Sequence, residues 1–207
     1  MEIQLVGKSY PKTVKLKDKS EMLMRLMKKD DITTMVEYFS RIPAEDRLYQ
    51  RVNMFDKKSL VEYWDTRILE EKSLTLLGYV GDELVGVVSL HQATAPDSAH
   101  VAYIRLSVSA LHRSKGVASI LSKEIFSSAL ILKVDKVCAE VVRGQDVAQI
   151  IFQKKMGFKK EAIRKNHIKD NEGKYRDLII FSNNTKALLK EIKRRTIFAS
   201  IAYGQEY

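Results

Sequence analysis

The densest chemistry in this sequence lies in the run Val101-Ala-Tyr-Ile-Arg-Leu-Ser-Val-Ser-Ala-Leu-His-Arg-Ser-Lys-Gly-Val-Ala-Ser119. Its first eight residues alternate, with Ala102, Ile104, Leu106 and Val108 on one side, which predicts a strand. A short turn follows. A helix then opens within Arg113-Ser114-Lys115-Gly116-Val117-Ala118. A helix N-terminus presents unpaired N–H groups and the positive end of its dipole, a setting that suits phosphate. Gly116 and the small Ala118 allow backbone to approach a ligand closely, while Arg113 and Lys115 add positive charge. The same pattern also suits an ordinary strand-to-helix turn containing a glycine, so spacing alone leaves both readings open.

Several elements are needed to hold such a turn in place, and the chain is long enough to supply them. It has 207 residues, 45% hydrophobic and 30% charged, which predicts one domain with appendages and a core that needs no staples. Cys138 is the single cysteine, so neither a disulfide framework nor a cysteine-based zinc site is expected. No apolar run approaches the roughly 18–20 residues of a membrane span. The first residues lack the charged-then-apolar order of a secretory signal. A cytoplasmic protein without a membrane partner is therefore expected. Lys and Arg number 36 against 26 Asp and Glu, a net charge of +10. That excess invites an anionic partner, or reflects solvated lysine-rich faces. Nucleic acid is not the expected partner, because the basic residues are dispersed and few aromatics lie among them.

Residues 1–20 read as an N-terminal arm or edge strand. A strand over 21–28 is followed by a helix capped by Asp30 or Asp31, with Ile32, Met35, Val36 and Phe39 on one face. Further helices are predicted after Pro43 and around 59–71. Strands over Leu74–Val80 and Leu84–Leu90 flank a turn at Gly81-Asp82. The strand at Val101–Val108 leads to a helix from Gly116 to about Leu132 and a strand at Lys136–Val142. A helix over 146–156 comes next, then strands near 158–168 and 174–182, and a final helix over 185–196. This order gives a mixed α/β fold with helices on the faces of one sheet.

Arg-x-x-Gly-x-Ala after a strand resembles the acetyl-CoA pyrophosphate loop of the GNAT (Gcn5-related N-acetyltransferase) superfamily. A second segment agrees. Glu140-Val-Val-Arg-Gly-Gln145-Asp-Val-Ala148-Gln-Ile-Ile-Phe152, followed by Lys155-Met156-Gly157-Phe158, resembles the second signature of that superfamily. Residues 22–54, with Arg25, Asp31 and the Ile42–Arg47 stretch, look like its first strand and helices. The resemblance spans about 21–184, leaving 185–207 as a C-terminal helix and tail. It implies a central mixed, mostly antiparallel sheet of about seven strands. It also implies acetyl-CoA as co-substrate, no metal, and direct transfer of the acetyl group to a primary amine. The segments 22–54 and 167–179 are similar to bacterial protein lysine acetyltransferases, which points to a protein lysine. A small-molecule amine, or a non-catalytic acyl-CoA sensor, is the alternative, and a homodimer is compatible with the resemblance.

The resemblance also assigns roles. Leu106, Ser107 and Val108 would splay from the next strand and pair with the pantetheine arm. Arg113, Ser114, Lys115, Gly116, Val117, Ala118 and Ser119 would cradle the pyrophosphate. Gln145, where the family often has asparagine, would bond the pantetheine or the helix start. Glu140 would be the base, which is needed because a lysine amine has a pKa near 10.4. Tyr103 also faces the site, but an ordinary tyrosine is a poor base. The family's frequent acid, a tyrosine, falls at Phe152, which cannot donate. Tyr175 or water would replace it, or the thiolate, of pKa near 8.5, would leave unprotonated. The stretch from Phe152 to Gly157 is one residue longer than the common pattern.

The four histidines show no metal or triad spacing and read as surface or turn residues. Cys138 reads as a small buried side chain. The run from Lys154 to Lys169 is strongly basic.

Overall fold

The computed structural model describes residues 3–43, 58–59, 61–63, 73–170 and 172–203. The helices expected after Pro43 and over most of 59–71 lie outside these residues. Helix α1 (Ile3–Gly7) precedes strands β1 (Lys12–Lys15) and β2 (Glu21–Leu26), then helix α2 (Ile32–Ser40). Strands β3 (Ser73–Val80), β4 (Glu83–Gln92) and β5 (Val101–Val108) follow. Helix α3 (Val117–Ile131) crosses to β6 (Lys136–Val142). Helix α4 (Asp146–Ile150) runs into a π-helical turn at Ile151–Lys155. Strands β7 (Lys159–Lys169) and β8 (Tyr175–Asn184) and helix α5 (Thr185–Tyr203) complete the chain.

One 8-stranded sheet has the order β1-β2-β3-β4-β5-β6-β8-β7. The strand beyond the expected seven is β1, at the sheet edge, inside the segment read as an arm or edge strand. It pairs antiparallel with β2 from Lys12↔Met24 to Lys15↔Glu21. The main core fills the face covered by α3 and α5, with Leu121, Ile125, Phe126 and Leu188 wholly buried. Burying one such side chain contributes about 1.5–3 kcal/mol, so this face supplies most of the stability. Val6 and Leu16 at one end, and Ile192 at the other, belong to the same core. A second cluster lies on the opposite face, where Ile32, Met35, Tyr38 and Phe39 of α2 meet Leu77, Leu84 and Val87.

The helix expected over 146–156 is α-helical only in its first part. Met156 N donates to the Ile151 carbonyl at 3.0 Å, a bond across five residues. One residue more than the common pattern is accommodated by widening a single turn, which keeps Phe152 and Phe158 facing the core. Asp31, expected as a cap for α2, makes no side-chain cap bond there. Its carboxylate instead accepts from Arg25 Nη1 at 2.6 Å, Arg25 Nη2 at 2.5 Å and Lys28 N at 2.7 Å. Burial pushes the Asp31 pKa up, but Arg25 and the Lys28 N–H outweigh it and hold the carboxyl below its ordinary value. Arg25 also lies over the Tyr79 ring, so this clamp fixes the start of α2 against β3.

Candidate active site

Strand β5 pairs with β4 along its whole length, from Gln92↔Ala102 to Gly86↔Val108. On its other side it pairs with β6 only at Val101↔Lys136, Ala102↔Val137 and Tyr103↔Cys138. This is the one parallel pair among the described strands. Beyond Tyr103 the two strands part. Ile104 to Val108 form one arm of a wedge, and Ala139 to Val142, held by β8, form the other. The splay expected at Leu106, Ser107 and Val108 is present, and it leaves that edge of β5 without a strand partner among the described residues.

The helix that follows β5 opens beside the wedge. Ser109 N donates to the Val85 carbonyl at 2.9 Å, a short turn follows at Ala110–His112, and Gly116 caps α3. Gly116 has φ 97 and ψ −6, a left-handed geometry that suits glycine. Among the described residues no side chain caps this end. The Gly116 carbonyl accepts the first helical bond, from Ile120 N at 3.0 Å, so the N–H groups of Val117, Ala118 and Ser119 have no acceptor within the helix. Close packing makes the placement possible. Gly86 of β4 lies under α3, where a Cβ would come within 2.7 Å of Leu121 Cδ1 and 2.8 Å of Val117 Cγ1.

The face of the wedge away from α3 carries Arg105 and Ser107 from β5, and Cys138 and Glu140 from β6, because alternate residues share a face. Glu140 is half-buried one step past the vertex formed by Tyr103 and Cys138. The Tyr103 hydroxyl is raised above its ordinary pKa by partial burial and by Cys138 and Glu140 beside it, which makes it a still poorer base. Burial pushes the Cys138 thiol up to about 11, so it stays protonated and unreactive.

Not every sequence-assigned residue gathers here. Tyr175 is 62% exposed at the far end of the β7–β8 hairpin. Strand β8 meets the last residue of β6 at Val142↔Leu178, three residues short of Tyr175, so the structure does not bring this hydroxyl to the wedge. Its ring instead stacks under the Lys169 ammonium at 5.7 Å. Phe152 is 9% exposed and packs edge-on against Phe158 at 5.3 Å, in the core. Gln145 turns back on the chain, where its Oε1 accepts from Val142 N at 2.9 Å. Lys115 reaches Asp18 Oδ2 at 3.0 Å.

Other residues enter that local sequence signals missed. The Tyr38 hydroxyl on α2 lies 2.9 Å from Ser107 Oγ, on the splayed arm of β5. Burial pushes its pKa up to about 12, against the Ser107 hydrogen bond and the Arg113 charge. His91 and His112 are buried; His112 lies in a turn, within the surface-or-turn reading, whereas His91 lies inside strand β4. His91 Nδ1 lies 2.7 Å from Ser73 Oγ and its Nε2 2.8 Å from Ser89 Oγ, which satisfies the ring inside the sheet. Among the described residues no group of three or more metal-ligating side chains occurs, and no helix is long and apolar enough to cross a membrane.

A sheet that splays beside an open helix N-terminus defines the class of protein. Residues 36–158 match the Acetyltransferase (GNAT) family. The chain belongs to that family and is a GNAT-family acetyltransferase. No curated protein matches the sequence. Among solved structures, Mycobacterium smegmatis RimJ in complex with CoA-disulfide is similar at 15% identity and a TM-score of 0.73. That match covers 92% of this chain and 96% of that one. The GNAT domain of S. lividans PAT is similar at 19% identity and 0.66, covering 84% and 96%. RimL, a ribosomal L7/L12 alpha-N-protein acetyltransferase in complex with coenzyme A, is similar at 14% and 0.68, covering 79% and 93%. At these identities the likeness is one of fold.

Proposed function

We propose that this chain transfers the acetyl group of acetyl-CoA directly to a primary amine, with a protein lysine as acceptor. The observation that carries the reading is the parting of β5 from β6 beyond Tyr103, on the strand that leads into the uncapped start of α3. An extended pantetheine arm fits an unpaired strand edge, and the open N–H groups of Val117 to Ser119 suit a pyrophosphate. RimL, whose name identifies it as an alpha-N-protein acetyltransferase, supports a protein amine.

Glu140 would take the proton from the acceptor ammonium, directly or through water. The amine nitrogen then attacks the thioester carbon, an N–C bond forms, and the C–S bond breaks. A backbone N–H on the open edge of β5 would stabilise the oxyanion. The departing thiolate takes its proton from Tyr38, in place of the more distant Tyr175, and the second proton lost by the attacking nitrogen restores the Tyr38 phenol through water. Holding amine and thioester together supplies much of the rate. Phe152 at the family's tyrosine position favours a second reading, a non-catalytic acyl-CoA sensor.

The test is calorimetric titration of acetyl-CoA into the wild type and a Gly116→Glu variant, then CoA release over a panel of protein and small amines. Saturable binding lost in the variant, with CoA released on lysine-bearing proteins and lost in Glu140→Gln, is the expected result. Binding without release on any amine would establish the sensor instead. A folded wild type that binds no acetyl-CoA would overturn both.

A further inference from the structure

The tip of the β1–β2 hairpin reaches the start of α3. Leu16 N donates to the Ser20 carbonyl at 2.8 Å and Lys19 N to the Leu16 carbonyl at 3.0 Å, closing a tight turn. Asp18 stiffens it, accepting from Ser20 Oγ at 2.6 Å and Ser20 N at 3.1 Å. Two contacts then fasten the turn to the loop before α3. Lys17 N donates to the Lys115 carbonyl at 3.0 Å, and Lys115 Nζ pairs with Asp18 Oδ2 at 3.0 Å.

The Lys17 side chain lies across the glycine itself. A Cβ built on Gly116 would stand 3.5 Å from Lys17 Cγ, 3.9 Å from Cδ and 3.8 Å from Cε. Three successive methylenes at van der Waals range from one point aim the side chain over the cap of α3. The ammonium, one bond past Cε, therefore sits at the positive end of the helix. Cations are unfavourable at that end unless an anion joins them. Among the described residues, the ion pairs of this segment use Lys12, Arg25 and Lys115, and none uses Lys17. Lys115 already spends its charge on Asp18, so Lys17 is the cation of this turn that lies over Gly116 without a carboxylate.

We propose that Lys17 is a phosphate-binding residue, forming with the backbone of Gly116 to Ser119 a two-walled site for a phosphate group of the acyl-CoA donor. This inference rests on the assignment of residues 113–119 as the acyl-CoA loop. It makes the N-terminal hairpin a part of the binding site.

The experiment titrates acetyl-CoA and its 3′-dephospho form into the full-length wild type, Lys17→Met and Lys19→Met. The first variant keeps the stem and removes the charge; the second removes a charge from the same turn away from Gly116. Loss of one charge-assisted contact predicts about tenfold weaker binding by Lys17→Met. Lys19→Met should stay close to the wild type, and the melting temperatures of all three should agree. Equal weakening of both ligands would place Lys17 on the pyrophosphate, and weakening of acetyl-CoA alone would place it on the 3′-phosphate; either supports the proposal. Unchanged binding of both ligands by Lys17→Met, with a wild type that saturates, would overturn the proposal alone. A folded wild type that binds neither ligand would overturn the acyl-CoA assignment and this proposal with it.

Discussion

Replacing Gly86 by alanine tests whether the position of α3, and through it the loop, depends on a bare patch of sheet. Gly86 faces Gly78 across the β3–β4 ladder. The new Cβ would lie 2.7 Å from Leu121 Cδ1 and 2.8 Å from Val117 Cγ1. Ordinary carbon contacts are about 3.5–4.0 Å, so α3 must lift by close to 1 Å. Both neighbours are branched and buried, at 0% and 1% exposure, and neither can swing aside. Overpacking of this kind costs about 1–3 kcal/mol. For a chain of this size that lowers the melting temperature by about 2–12 °C. Val117 directly follows Gly116, so the lift also moves the N–H groups that would meet the pyrophosphate. Acetyl-CoA affinity should fall about tenfold or more, since displacements near 1 Å can cost up to about 100-fold in function. Gly78→Ala is the control. Its Cβ would meet Met22 Sδ at 2.9 Å, the flexible part of a thioether that can yield, so the cost should stay below about 1 kcal/mol. Thermal unfolding and calorimetry on both variants decide the matter. Wild-type stability and affinity in Gly86→Ala, or equal damage in Gly78→Ala, would refute the reasoning.

Asp31→Asn should cost about 1–3 kcal/mol at neutral pH, because Arg25 and Lys28 N lose a charged acceptor. The Asp31 pKa is lowered on folding, so the wild-type advantage is complete above the ordinary value of 3.8 and fades as the pH falls through the depressed one. Melting curves of both proteins from neutral to acid pH would show the gap closing, and a gap that widens in acid would contradict the assignment. Tyr38→Phe should lower kcat about 10–100-fold with little change in KM for acetyl-CoA, as expected of a lost proton donor. An unchanged kcat would leave water as the proton source. Glu124→Ala removes the carboxylate that accepts from Lys12 Nζ at 2.8 Å and Tyr10 Oη at 3.2 Å. It should destabilise the fold by about 1–3 kcal/mol in urea unfolding, and a neutral result would mean that the N-terminal segment is not fastened through α3.

Much of the frame is legible in the order of residues alone. Strand β5 and strand β6 run over the expected residues, because alternation of apolar side chains is a local signal with a period of two. Helix α3 and its glycine are equally legible, since a positive φ at a helix start leaves its mark in residue type. The π turn is not. The extra residue before Gly157 is visible as a length, but local pattern does not say whether a loop or a widened turn absorbs it. The burial of the histidines escapes local pattern for a similar reason, because the serines that satisfy His91 sit on β3 and β4 and meet it through sheet register.

By itself, then, the amino-acid sequence determined the main strands, the glycine-capped helix start and the type of chemistry they suit. Tertiary structure alone decided which side chains stand at that site. Tyr38 meets Ser107 across 69 positions, Lys17 lies on Gly116, and Tyr175 is carried out to a hairpin tip. Periodicity and capping act within a few residues and are written locally. Contacts between residues far apart in the chain depend on how whole elements pack, and packing of that range leaves no trace in local spacing.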